Sequence, residues 1–274
     1  MTLTVSFLAQ FRSNWVVEKD TGIYHSNIPS PTGIPSDPAL AGYGALQAQE
    51  LAEKLVTLDP PIERFYSSPF YRCIQTLYPT LEKLAERNGE GVEGRELKIY
   101  GDNGLGEWFG TARFDHPSPA SPQVLHKLLP RYELEYKPTI IPDTKGETIS
   151  DLHDRTAYAL HRIVEDCDRQ GVRAIVICTH AATMYAVGRA LTGRMPGDVS
   201  EEDFHTYTCG LSKFVRRGSS TAQHEGREEV QMWKGIGSPI PKVQWRGGRG
   251  VAGRWECELN GDCSFLSGGE ERGW

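Results

Sequence analysis

The stretch "RAIVICTH", residues 173–180, is an apolar run that ends on a titratable residue. A continuous, β-branched run of this length reads as a strand buried on both faces, as in the middle of a parallel sheet. The segment after it, "AATMYAVGRALTG", reads as a helix. His180 therefore falls where a strand ends and a helix begins, the edge at which open α/β sheets bind ligands.

The same alternation extends upstream. "TLTVSFLA", from residue 2, is a short β-branched strand, and "IERFYSS" (62–68) a second one. Between them, residues 20–40 are rich in Pro, Gly and Ser and are expected to form a loop. Residues 42–58 then place Leu46, Leu51, Leu55 and Val56 at near-helical spacing. "PFYRCIQTLYPTLEKLAERNG" reads as a helix with Pro69 suited to its first turn and Gly89 to its end. A third strand in 97–108 runs into the Gly-rich "GLGEW". Residues 110–146 carry much Pro and little periodicity, apart from a short helix near "SPQVLHKLLP". The clearest helix spans 147–171, with Leu152, Leu160 and Ile163 along one face and Gly171 as its stop.

Beyond Met195 the pattern changes to the short strands "FHTYTCGLSKFVRR", "EVQMWKG" and "RWECELNG". The expectation is one α/β domain over residues 1–274, a three-layer sandwich with a mostly parallel central sheet and helices on both faces. Antiparallel edge and hairpin additions come from a strand-rich extension, 195–274, packed on the rest.

Composition narrows the function classes. Of 274 residues, 38% are hydrophobic and 24% charged, as in a globular chain. A net charge of −6 argues against a broad basic face for duplex DNA, so DNA would be met only through a partner. Six cysteines show neither CxxC spacing nor a compact framework; no metal is implied, and several sit in apolar runs as expected buried free thiols. No basic region followed by a long apolar run opens the chain, and no 18-residue apolar stretch occurs. An intracellular, soluble protein with no membrane partner is expected, nuclear or cytoplasmic.

Four residues gather at strand ends: Arg12, Arg72, Glu107 and His180. Taken singly each has an ordinary reading. Arg12 could be a solvated charge, Glu107 a loop acid and His180 a satisfied core residue. Arg72 is less ordinary, because a cation in a helix's first turn opposes the macrodipole. Together, two guanidiniums, an imidazole and a helix N-terminus make an anion cradle, and a nearby carboxyl could donate a proton.

"SSPFYRCIQT", "GLGEW", "KGET" followed by Arg155, and "CTHAA" occur in the order of the histidine phosphatase (phosphoglycerate mutase-like) superfamily, which the chain resembles. The finer pattern, with "FRSNW", "GYGALQA" and the C-terminal "LNGDCSFLSGGEERGW", is similar to the histidine-phosphatase-like subunit of fungal transcription factor IIIC. That resemblance covers residues 5 to 274. It implies a phosphomonoester pocket in which a strand 1 His attacks phosphorus, with no cofactor and no metal. It implies phosphate-binding roles for Arg12, Arg72 and His180, a catalytic role for His180, and a catalytic acid at Glu107. It also implies transcription factor IIIC subunits as partners and a nuclear location, with the cytoplasm also open. "SFLSGGEERGW" reads as an exposed, Trp-anchored docking segment.

One element of the family pattern is missing. Its strand 1 Arg-His-Gly falls on Leu8, Ala9 and Gln10, or one residue earlier, so the nucleophile is expected at Leu8 or Ala9, and neither is His. The nearest downstream His, His25, lies in the Pro-rich segment, where nothing pre-organises it. Three readings stay open. The fold is used without phosphatase chemistry; or the first dozen residues are mis-assigned from a spliced gene and the protein is an active phosphatase; or the site was inactivated by design, which would have left the Arg and Gly in place.

Overall fold

The computed structural model describes residues 1–11, 15–88, 96–217 and 229–272. A six-stranded sheet runs in the order β5 (Ile99–Gly101), β4 (Arg64–Ser67), β6 (Ala174–Thr179), β1 (Thr2–Phe7), β7 (Leu211–Arg217), β8 (Arg254–Asp262). The first four strands are mutually parallel; β7 is antiparallel to β1, and β8 to β7. The mostly parallel sheet with an antiparallel C-terminal edge is the expected fold class. β6, the run "AIVICT", is buried at all six positions because it lies between β4 and β1 with both faces covered.

Connection α1 (Gly42–Leu55) carries the chain from β1 to β4, and α2 (Tyr71–Asn88) from β4 to β5. Return to the centre runs through α3 (Pro122–Leu128) and α4 (Ile149–Arg169) to β6, and α5 (Ala181–Thr192) leads outward to β7. Right-handed crossovers that progress in opposite directions place α1 and α2 on one face and α4 on the other, and α5, which leads to the antiparallel β7, packs on α4. The packing of α1 on α2 agrees. Adjacent strands β1 and β6 thus send their helices to opposite faces, which makes their C-terminal ends the switch point of the sheet.

α4 starts on a reciprocal cap: Thr148 Oγ1 accepts from the Asp151 N–H, while the Asp151 carboxylate accepts from the Thr148 N–H. Leu152, Leu160 and Ile163 are buried as their spacing predicts. On α1 the expected face is partly wrong. Leu51 and Leu55 are buried, but Leu46 is 48% exposed, and the polar Gln47 takes the inward position beside it. Gln47 is fitted by hydrogen bonds: its Nε2 donates to Thr208 Oγ1 (3.0 Å) and Glu271 Oε2 (3.2 Å), and its Oε1 accepts from the Gln10 N–H (3.0 Å).

Three further expectations are corrected. Residues 20–40 are not all loop, since Tyr24–Ser26 pairs with Trp15–Val17 as the hairpin β2–β3, the Trp15 and Tyr24 rings 5.3 Å apart. "EVQMWKG" forms no strand over 229–235. Val230 and Trp233 instead pack on Tyr158 and Ala159 of α4, and the Trp233 N–H goes to Tyr158 Oη (2.9 Å). In "FHTYTCGLSKFVRR" the strand begins only at Leu211, after Cys209 enters the left-handed region at φ 55°. Cys73, Cys167, Cys178, Cys209 and Cys263 are buried free thiols, as expected, and Cys257 is half-buried. No helix among the described residues is long and apolar enough to cross a membrane.

Candidate functional site

Three of the four residues singled out in the sequence meet at the switch point. His180 is the N-cap of α5, buried at the end of β6. Its Nε2 lies 2.7 Å from Ser68 Oγ, just past β4, and its Nδ1 lies 3.0 Å from Glu107 Oε2. Arg72, the second residue of α2, donates from Nη2 to Glu107 Oε2 (3.1 Å) and from Nη1 to Asp37 Oδ1 and Ser36 O (both 3.1 Å). The Phe11 and Phe70 rings lie 5.0 and 4.8 Å from its guanidinium carbon. Its place in a first turn, unfavourable against the macrodipole, is explained by two carboxylates at one fork. Arg12 lies outside the described residues.

Glu107 is positioned by a clamp around "NGLGE". Buried Arg155 donates from Nη1 to the carbonyls of Asn103 (3.2 Å) and Gly104 (2.8 Å), while Thr179 and Thr183 donate their hydroxyls to Leu105 O (2.6 Å) and Gly106 O (2.7 Å). Arg155 is itself held by both oxygens of Glu147 through Nε, each at 3.0 Å. Glycine is required at 104, where a Cβ would lie 2.6 Å from Ala159 Cβ.

The position expected for the nucleophile is apolar and filled. β1 pairs with β6 up to Phe7 opposite Thr179, the residue before His180. Leu8 and Ala9 are 1% and 0% exposed and belong to the hydrophobic core. The Leu8 N–H donates to Thr179 O (3.2 Å) and the Ala9 N–H to Thr76 Oγ1 (3.0 Å), so both positions are held at the strand end. His25 lies on β3, half-exposed and bonded through Nε2 to Glu18 (2.9 Å), with no link to the pocket among the described residues.

The charges are mutually satisfied. Burial pushes the Glu107 carboxyl up, but the His180 imidazole and Arg72 guanidinium outweigh it and hold Glu107 down at about 2. Burial works against the His180 imidazolium; the Cys73 sulfur and the Glu107 carboxylate work for it, and the net is upward. Cys73 is itself pushed well above its ordinary value by burial, so it is a neutral thiol at pH 7 and Glu107 is the effective counter-charge. With Nδ1–H aimed at Glu107, the Arg72 Nη2 contact at 3.3 Å sets two donors side by side and opposes the imidazolium. Asp37 goes the other way, raised by burial in spite of Arg72.

A pH dependence follows. A histidine whose folded pKa exceeds 6.5 contributes stability that is complete below that value and is lost as pH rises through the folded pKa. The Tm gap between the native chain and His180→Gln is expected to narrow as pH rises above 6.5 in thermal melts. A gap that stays constant would show that His180 does not titrate in that window.

Sequence reasoning missed Asp37, Ser68 and the aromatic wall. That wall runs from Phe70, whose ring is edge-on to His180 at 5.5 Å, through Phe109 to His116, stacked on Phe109 at 4.8 Å. The "SSP" before Arg72 was a signal for Ser68. Nothing local marks Asp37, which arrives from 35 residues upstream. The Pro-rich segment lies against one side of the site: His116–Pro119 and Ile141–Thr144 line a small cavity that also borders Glu107 and Phe70.

With this geometry in place the relationship is plain. The chain belongs to the histidine phosphatase superfamily (branch 1), whose family model matches residues 25–226, a match that begins after the β1 segment. It is 31% identical over 286 aligned residues to the transcription factor tau 55 kDa subunit of Saccharomyces cerevisiae, covering all of this chain and 59% of that subunit. It is 27% identical over 172 residues to the ecdysteroid-phosphate phosphatase of Drosophila melanogaster, covering 63% of this chain and 22% of that protein. The chain therefore spans only part of the curated relatives it matches. The Bombyx mori ecdysone phosphate phosphatase in complex with tungstate shares the fold at TM-score 0.57 and 20% identity, over 79% of this chain and 89% of that one.

Proposed function

We propose that this chain is a histidine-phosphatase-fold subunit of the RNA polymerase III transcription factor IIIC type, kept for binding and impaired in phosphate transfer. One observation carries the second half: Leu8 and Ala9, just past the end of β1, are buried in the apolar core, and neither side chain can attack phosphorus. Two others support it. Glu107 is held down by the His180 imidazole and the Arg72 guanidinium, which it already pairs with. Arg72 already carries two carboxylates, so an incoming phosphate must compete with them. Assembly is supported by the match to a transcription factor subunit along the whole chain. On this reading the partners are the other subunits of that factor, DNA is met only through the complex, and the protein is nuclear. Arg72, His180 and Arg12 are the proposed anion ligands, and Glu107 is the remnant acid.

The test is hydrolysis of p-nitrophenyl phosphate by the purified chain. No turnover above buffer is expected, since loss of a nucleophile removes roughly 10⁶ of rate in well-studied cases. Turnover that disappears in His180→Ala would overturn the non-catalytic reading. Capture of transcription factor IIIC subunits by the tagged chain tests the assembly half, and a clean chain without them refutes it.

An active phosphomonoesterase working through a phosphohistidine is the second reading, favoured by the convergence of Arg72, Glu107 and His180 within 3.3 Å of one another. It needs a His at position 8 or 9. Mass spectrometry of the N-terminal peptide from the native protein decides between them.

A further inference from the structure

Residues 230–255 carry Lys234, Lys242, Arg246, Arg249 and Arg254 and no Asp or Glu, in a chain whose net charge is −6. The first part of this segment forms a strap across α4 and the loop before it. Val230, Trp233, Ile240 and Val243 pack on Ile140, Tyr158 and Ala159, and the Trp233 N–H is fixed by Tyr158 Oη. At its far end Trp245 is fully buried, stacked on His153, with Nε1 donating to Asp154 Oδ1 (3.2 Å). The 245–251 loop is pinned by the Gly248 N–H to Gly193 O (2.9 Å) and the Val251 N–H to Ala190 O (3.0 Å).

Beside the strap lies a groove of about 730 Å³. Its walls include the apolar Val230, Met232, Ile240 and Val243 and the cations Lys234, Lys242 and Arg249, with Glu229 the single acid. Arg246 is paired with Asp154 at 2.7 Å, but Lys234, Lys242 and Arg249 have neither an ion pair nor a hydrogen bond from their side chains among the described residues. Met232, at 64% exposure, is a large apolar side chain left in water at the same place.

We propose that this groove binds an extended segment of a partner protein in which acidic and apolar residues are mixed. Unpaired cations on an anchored backbone favour carboxylates and lose little entropy on binding them, while the apolar wall takes aliphatic or aromatic side chains. A nucleic acid fits less well. The chain's net charge repels a duplex, and Trp245 is buried and Trp233 half-buried, so neither offers the open face on which bases stack. The inference deepens the assembly reading and rests on it only for the partner being a protein.

Fluorescence anisotropy of the full chain with a short fluorescein-labelled peptide alternating Glu and Leu is the test. Saturable binding is expected, weakened by added salt and reduced roughly tenfold or more by Lys234→Glu, Lys242→Glu and Arg249→Glu combined. All three side chains are exposed, so this variant keeps its fold; Met232→Asp, probing the apolar wall alone, is expected to weaken binding as well. Equal affinity for a Lys–Leu peptide, or no change in the charge-reversed variant, overturns the proposal. So does tighter, equally charge-dependent binding of an oligonucleotide. None of these outcomes alters the co-purification result, so the groove and the assembly reading fail separately.

Discussion

Arg155→Met is expected to be the most damaging single substitution in the molecule outside the apolar core. It removes a guanidinium that is fully buried and leaves Glu147, 7% exposed, as an unpaired carboxylate. It also strips the carbonyls of Asn103 and Gly104 of their donor. Breaking one side of a buried ion pair costs about 3–5 kcal/mol, which for a chain of this size lowers Tm by roughly 10 °C. Urea or thermal unfolding measures it. Adding Glu147→Gln to Arg155→Met should recover part of the loss, because the stranded charge is then gone; a double variant worse than the single one would place the damage elsewhere. The local consequence is release of the loop that carries Glu107 and Trp108, whose Nε1 donates to Glu147 O at 3.2 Å.

Glu107→Gln is expected to act in the opposite sense on ligand binding. Glu107 occupies one branch of the Arg72 fork as a carboxylate and neutralises His180. A phosphate or tungstate entering the pocket meets that charge first. Removing it takes away a like-charge repulsion of about 1–4 kcal/mol at contact distance for a half-screened site, so the anion should bind on the order of tenfold tighter or more. Isothermal titration of the native chain and the variant with tungstate reads this directly. Equal affinities would mean that Arg72 and His180 are not the anion's ligands. The same substitution should also lower the pH at which His180 loses its proton, since its counter-charge has gone.

Much of the architecture was legible because it follows from local pattern. "AIVICT" is apolar at every position except its last, and only burial between two strands uses such a run; the structure places it there. α4 carries both a cap and a clean periodic face, and its observed ends differ from the expected ones by two residues. Where the pattern failed, a tertiary contact outweighed it. Gln47 lies inward and Leu46 outward because Gln10, Thr208 and Glu271 together satisfy the amide. "EVQMWKG" has the alternation of a strand, but Val230 and Trp233 pack on Ile140, Tyr158 and Ala159, and the Trp233 N–H goes to Tyr158 Oη instead of to a neighbouring strand.

The site divides in the same way. His180, Arg72 and Glu107 could be named in advance because strand-end positions announce themselves in an α/β chain, and the absence of His at positions 8 and 9 is a fact of the sequence alone. Asp37 could not, nor could the state of the charges. Whether Arg72 waits for an anion or is already paired depends on two carboxylates from different loops arriving within 3.1 Å of it. Coulomb energy falls with distance, and the distance between residues 35 apart in sequence is set by packing rather than by composition. The sequence by itself determined the fold class, the candidate residues and the lack of a His at positions 8 and 9. Only the tertiary structure decided that Arg72 and His180 are already paired with Asp37 and Glu107, and that Leu8 and Ala9 are buried in the apolar core at the end of β1.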